Sequence, residues 1–204
     1  MTTDAPHIGV LALQGDVSEH VRAIEAAGGR ALEVRDADGL ERVHGLVIPG
    51  GESTTVGMLL TRFALLEPLR RRIERGLPVY GTCTGLILLS RAIDDGLEGQ
   101  PHLGCLDVRV RRNGYGRQLQ SFEADIEMRL GGDVPAVVRA VFIRAPKIVA
   151  TGGAVEVLAW HDGVAVAVRQ GSLLATSFHP ELTHDCRVHA LFIEMCRTAV
   201  PISS

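Results

Sequence analysis

Cys83 is the residue around which chemistry can be built. It stands in Gly81-Thr82-Cys83-Thr84-Gly85, between the apolar run Pro78-Val79-Tyr80 and the apolar stretch Leu86-Ile87-Leu88-Leu89. A strand, a Gly-x-Cys-x-Gly turn and a helix make the layout of a nucleophile elbow, which lifts one side chain clear of a sheet edge. Gly81 and Gly85 lack the Cβ that would obstruct the close approach of turn and helix. At a helix N-terminus, unpaired N–H groups and the macrodipole favour a thiolate over a thiol. The alternative for Cys83 is a buried structural cysteine.

A thiolate nucleophile needs a proton relay, and Phe178-His179-Pro180-Glu181 offers one. In extended chain, residues two apart face the same way, and Pro180 is expected to hold His179 and Glu181 in that shape. A carboxylate on one ring nitrogen fixes the imidazole tautomer and leaves the other nitrogen to a thiol. His7, His20, His44, His102, His161, His184 and His189 have no comparable context. No His/Cys cluster has metal-ligand spacing, so neither metal nor cofactor is expected.

Pro49-Gly50-Gly51-Glu52-Ser53-Thr54-Thr55 is the third piece. It reads as a glycine turn into a helix capped by Ser53 or Thr54. The Gly-Lys-Ser/Thr end of a phosphate loop is missing. As chemistry, it offers an oxyanion hole, pairing an N–H near Gly50-Gly51 with that of Thr84. Adjacent glycines also let the peptide between them flip, so such a hole can be assembled on demand.

These pieces must be held by a scaffold. His7 to Leu13 is a near-continuous apolar run suited to a strand buried on both faces, and Ala31 to Val34, Gly45 to Ile48 and Pro78 to Tyr80 are further strand candidates. Helical patterns separate them, with Val17, Val21 and Ile24, a short turn at Leu40 to Val43, then Ser53 to Leu60 and Leu65 to Ile73. This alternation predicts a three-layer, doubly wound α/β fold, a mostly parallel sheet flanked by helices. Ligands in such sheets bind beyond the carboxyl ends of the strands, where Gln14, Gly50-Gly51 and Cys83 fall. The second half predicts antiparallel strands at Leu106 to Val110 and Val155 to Trp160, a hairpin through His161-Asp162-Gly163 into Val164 to Val168, and a strand at Ser172 to Phe178. A last helix carries Val188, Leu191, Phe192 and Met195 on one face. With no repeat or linker, one domain over residues 1–204 is expected.

Composition narrows the classes. The 204 residues are 46% hydrophobic, which suits a core-rich globular chain. A net charge of -3 and pI near 6.2 give no electrostatic reason to expect nucleic acid. No apolar run has the length of a membrane span, and Met1 to Pro6 lacks signal-peptide character. Four cysteines without a CxxC pair or disulfide-framework density point to a reducing cytoplasm.

Seven stretches together closely resemble the glutaminase subunits of pyridoxal 5′-phosphate synthase, a branch of the class I (triad) glutamine amidotransferases. They are Leu13-Gln14-Gly15, Pro49 to Thr55, Gly81 to Gly85, Arg112-Asn113-Gly114-Tyr115-Gly116-Arg117-Gln118, Ser121 to Asp125, Phe142 to Pro146 and Ser177 to Leu182. The resemblance runs from about Ile8 to Met195. It implies a class I amidotransferase fold and hydrolysis of L-glutamine to glutamate and ammonia by a triad of Cys83, His179 and Glu181. It further implies Gly51 and Thr84 amides at the oxyanion, and Gly51, Glu52, Ser53, Arg112, Ile143 and Arg144 around glutamine. An arginine suits the α-carboxylate and a carboxylate such as Glu52 the α-ammonium. Ammonia then passes to a separate (β/α)8-barrel synthase subunit in a large hetero-oligomer, for vitamin B6 biosynthesis, and both hydrolase and lyase chemistry are expected. Thr84 departs from the small alanine usual after the nucleophile, and its branched side chain is expected to crowd the pocket. The residues alone also admit a γ-glutamyl hydrolase or cysteine peptidase, the glutaminase of a different pathway, or a docking module without catalysis.

Overall fold

A computed structural model describes residues 5–112, 114, 121–132 and 134–199. The apolar runs of the first half become β1 (His7–Leu11), β2 (Arg30–Val34), β3 (Gly45–Ile48) and β4 (Val79–Thr82). Between them lie α1 (Val17–Ala26), α2 (Ala37–Glu41), α3 (Ser53–Arg62) and α4 (Leu66–Glu74). The short helix α5 (Thr84–Leu89) follows the elbow, then β5 (Ser90–Ile93) and β6 (Leu106–Arg111). Next come β7 (Ser121–Met128), β8 (Ala136–Ile143), β9 (Lys147–Thr151), β10 (Glu156–His161), β11 (Val164–Gln170) and β12 (Leu173–Thr176). A 3-10 turn (Pro180–Leu182) and α6 (Arg187–Thr198) close the described chain.

The main sheet runs β2-β1-β3-β4-β12-β11-β10-β7-β8. Its first half, β2 through β12, pairs parallel; from β12 onward each neighbour is antiparallel. A smaller sheet, β5-β6-β9, stands apart from it. The doubly wound α/β architecture with antiparallel strands in the second half is thus the one the sequence implies.

Strand alternation divides the core between the two faces. Leu46, Ile48, Val79, Leu173 and Ala175 face one side, under Val56 and Leu60 of α3, Leu69 of α4 and Leu86 of α5. Ile8, Val10, Val47, Tyr80 and Leu174 face the other, under Ile24 of α1 and Phe192 of α6. Burial on both faces explains why these strands read as continuous apolar runs. The smaller sheet joins the first cluster through Leu106, Val108, Val110 and Ile148.

The polypeptide departs from the sequence reading in two local places near the site. His179 and Glu181 are not in extended chain: Pro180 opens a 3-10 turn, with His179 at φ -109° and ψ 86° before it. Proline suits a first helical position because its missing N–H has no partner to find there. The cap of α3 is neither Ser53 nor Thr54 but Glu52, whose carboxylate accepts from the N–H groups of Thr54 and Thr55.

Candidate active site

Cys83 sits at the junction of β4 and α5 with φ 48° and ψ -97°, a left-handed conformation that non-glycine residues seldom adopt. Such strain at an elbow presents a side chain at the sheet edge. The flanking glycines are required by contact: a Cβ on Gly81 would lie 2.5 Å from the Gly85 carbonyl carbon, and one on Gly85 2.3 Å from the Ile48 carbonyl oxygen. Cys83 is 7% exposed, at the floor of a cavity of about 300 Å3. The cavity opens beyond the carboxyl ends of β1, β3, β4 and β12, where a doubly wound sheet places its ligands.

The chain leaving β12 brings His179 to the same cavity, buried. Its Nδ1 and Glu181 Oε1 are 2.7 Å apart, and a Cβ on Gly50 would lie 2.3 Å from its Cε1. Burial alone would lower the His179 pKa, but hydrogen bonds to Cys83 and Glu181, with their charges, raise it to about 10. Burial alone would raise that of Glu181, yet His20 and His179 hold it well below the usual carboxylate range. Asp16, at the start of α1, adds a second carboxylate 3.5 Å from His179 Nδ1, its own pKa raised by burial. Asp16, His179 and Glu181 each bring a ligand atom within 4.8 Å of the others, although the shared His179 nitrogen is committed to Glu181.

The glycine turn is pinned from two sides. Thr84 Oγ1 donates to the Gly51 carbonyl at 2.6 Å, and the Glu52 N–H donates to Gln14 Oε1 at 2.9 Å. Thr84 is 1% exposed and borders the cavity, its hydroxyl tied to the glycine turn.

Glu52 and Arg112 meet across the opening, Arg112 Nη2 donating to Glu52 Oε1 at 3.0 Å. Arg112 also reaches Gln100 Oε1 at 3.2 Å and Thr54 Oγ1 at 3.3 Å, and Gln100 in turn donates to buried Ser53 at 3.4 Å. Burial works against the Glu52 charge, but donors from Thr55 and Thr54 lower its pKa to about 2. At the end of β8, the Ile143 carbonyl lies 3.9 Å from Cys83 Sγ, and Arg144, at φ 45°, lines the wall. The residues expected to act on or hold the substrate therefore border one cavity, with Glu181 directly behind it. Asn113 and Tyr115 to Gln118 of the arginine-asparagine motif lie outside the described residues.

Three residues at or behind the site escape the sequence reading: Asp16, which it passes over, and His20 and His189, which have no context there. Helical spacing carried a signal for His20: it is four residues before buried Ile24, on the inward face of α1. The polar ring of a histidine there has no partner in its own helix, so the reason for it appears only with the fold.

The SNO glutamine amidotransferase family model matches residues 10–198. The chain is 61% identical over 194 residues to the pyridoxal 5′-phosphate synthase subunit PdxT of Parafrankia sp. (strain EAN1pec), covering 95% of each. It is 56% identical over 194 residues to the same subunit of Frankia alni, covering 95% of this chain and 96% of that one. A crystal structure of a glutamine amidotransferase superimposes with TM-score 0.87 at 46% identity, over 94% of this chain and 99% of the other. One expectation is corrected by these matches: an amidotransferase subunit opens the glutamine amide by hydrolysis, so lyase chemistry does not belong to this chain. Because the family model spans nearly every described element and the site lies within it, this chain belongs to the SNO glutamine amidotransferase family.

Proposed function

We propose that this chain, acting as one domain, is a glutaminase that hydrolyses L-glutamine to L-glutamate and ammonia and supplies the ammonia to a pyridoxal 5′-phosphate synthase. The observation that carries the reading is the convergence of an elbow cysteine and a carboxylate-held histidine in one cavity.

Cys83 Sγ passes its proton to His179 Nε2 and attacks the side-chain amide carbon, forming a carbon–sulfur bond and an oxyanion. The N–H groups of Thr84 and Gly51 receive that oxyanion. His179, held on Nδ1 by Glu181, delivers a proton from Nε2 to the leaving nitrogen, and ammonia departs. Water, deprotonated by His179, then attacks the γ-glutamyl thioester and releases glutamate, restoring the thiol. Around the substrate, Gly51, Glu52, Ser53, Arg112, Ile143 and Arg144 form the glutamine pocket. Arg144 has no ion pair among the described residues, which favours it for the α-carboxylate, while Arg112 holds Glu52 toward the α-ammonium.

The relatives named as synthase subunits support a synthase subunit as partner, and the (β/α)8 barrel and the large hetero-oligomer follow from the family resemblance alone. Four free thiols suit the reducing cytoplasm, and among the described residues no helix is long and apolar enough to cross a membrane. The test is glutamate release from glutamine by the purified protein, alone and with the synthase subunit, beside Cys83→Ala. Release that rises with synthase and disappears in the variant is expected. Release indifferent to synthase would move the protein to another pathway, and none in either state, with stable binding, would leave a docking module.

A further inference from the structure

Behind the triad lies a second set of buried polar groups that the reaction as proposed does not use. His20 of α1, Thr82 at the end of β4 and His189 of α6 are all fully buried. His20 Nε2 lies 3.1 Å from Thr82 Oγ1 and 3.3 Å from Glu181 Oε1, the oxygen that also holds His179. On the other side of the ring, His20 Nδ1 lies 3.0 Å from His189 Nε2. Among the described residues, His189 Nδ1 and Glu181 Oε2 are buried without a hydrogen-bond partner.

These contacts allow one proton arrangement at little cost. Suppose His20 carried its proton on Nδ1. It would then donate to His189 Nε2, leaving an N–H on His189 Nδ1 buried with no acceptor, and it would turn a bare lone pair toward the Glu181 carboxylate. Both consequences are unfavourable, since buried N–H groups are almost always paired. With the proton on Nε2, His20 donates toward Glu181 and Thr82, His189 donates from Nε2 to His20 Nδ1, and only a bare ring nitrogen is left unpartnered. The protons are assigned from their partners. Burial pushes the His189 pKa down to about 3, which agrees with a neutral ring. Tyr80 fixes both rings edge-on, its centroid 6.4 Å from His20 and 5.7 Å from His189.

We propose that His20 is a positioning residue for the glutaminase reaction, donating from Nε2 to Glu181 so that the carboxylate stays turned toward His179, with His189 fixing the His20 tautomer. The inference rests on the triad reading above. It extends the Cys83–His179–Glu181 line by two rings, through α1 and α6, and gives both helices a part in aligning the base. Glu181 Oε2 has no partner of its own, so Oε1 is the handle by which the carboxylate is held.

Two measurements decide it on the intact chain. In a long-range proton–nitrogen NMR spectrum of protein labelled with 15N-histidine, His20 and His189 are expected to be neutral, each protonated on Nε2 and bare on Nδ1. An Nδ1–H or imidazolium form of His20 would overturn the proposal whatever the kinetics show. In glutamine turnover, His20→Leu is expected to lower kcat about tenfold and leave KM within about twofold, the scale on which groups that orient a catalytic partner act. His20→Gln, which restores a donor, is expected to recover most of that loss. A purely structural role predicts instead that turnover in both variants follows the folded fraction read from thermal unfolding, with no separate loss in kcat. Unchanged kcat in His20→Leu, or no recovery in His20→Gln, would therefore overturn the role. Turnover that survives Cys83→Ala would instead bring down the triad reading, and the spectrum would still judge the tautomers.

Discussion

Thr84 and Glu52 show how a residue singled out in the sequence can carry a second, structural part that only the fold reveals. Thr84 was expected to crowd the cavity, but its hydroxyl is spent on the Gly51 carbonyl at 2.6 Å. Losing that bond is worth a factor of about 2–10 in turnover if it steadies the loop that forms the oxyanion hole. Thr84→Val and Thr84→Ala are both expected to lower kcat by that amount. If crowding were the real effect, alanine would raise kcat and valine would leave it alone, so steady-state kinetics on the pair separates the two accounts. Glu52, expected to meet substrate, also caps α3. Its pKa falls from 4.5 to about 2 in the folded chain, so its contribution to stability is complete above 4.5 and lost as pH falls through about 2. Thermal unfolding of Glu52→Gln is expected to depend less on pH than the parent between those values. Equal slopes would mean the cap contributes nothing in solution.

At the level of elements, the elbow and the glycine turn were legible because close backbone approach leaves few alternatives. A Cβ on Gly85 would strike the Ile48 carbonyl at 2.3 Å, and backbone cannot yield as a side chain can. Gly85→Ala is expected to cost about 1–3 kcal/mol in denaturant unfolding, the range of changes that overpack a well-filled site. Gly50→Ala differs, since its Cβ would meet the imidazole of His179 at 2.3 Å. There kcat is expected to fall more than stability does, and a variant with full turnover would show that His179 has room to retreat. Elements whose pattern was ambiguous were lost. The stretch after Cys83 reads as the start of a longer helix, but α5 ends at Leu89 and Ser90 begins β5, because that strand completes the smaller sheet against β6. β7 does alternate, with Ile126 and Met128 inward and Glu123, Asp125 and Glu127 outward, yet it lies in a stretch noticed for its motif and not for its period. Likewise the 3-10 turn at Pro180 was hidden because a proline after histidine is equally compatible with extended chain.

Across the whole molecule, the site lies on the seam between the parallel half, which supplies Cys83 and His179, and the second half, which supplies Arg112, Ile143 and Arg144. Sequence pattern located the first group because apolar strands and glycine turns announce their ends, whereas the histidine pair behind it depends on how α1 and α6 meet beneath the sheet. That buried pair gives the fold a pH response with two opposite limbs. His189 has its pKa lowered from 6.5 to about 3 by burial, so the unfolded chain takes up its proton first. Its contribution is complete above 6.5 and is lost as pH falls toward 3. His179 is the reverse: raised from 6.5 to about 10, it contributes fully below 6.5 and that contribution is lost as pH rises through about 10. Denaturant midpoints measured from pH 4 to pH 9 are therefore expected to decline on both sides of a maximum near neutrality. His189→Phe, which keeps an aromatic ring beside Tyr80, should flatten the acid limb and leave the alkaline one. His179→Asn should do the opposite. If His189→Phe leaves the acid limb as steep as before, that limb belongs to the carboxylates, and the neutral buried ring is not what ties the stability of this fold to pH.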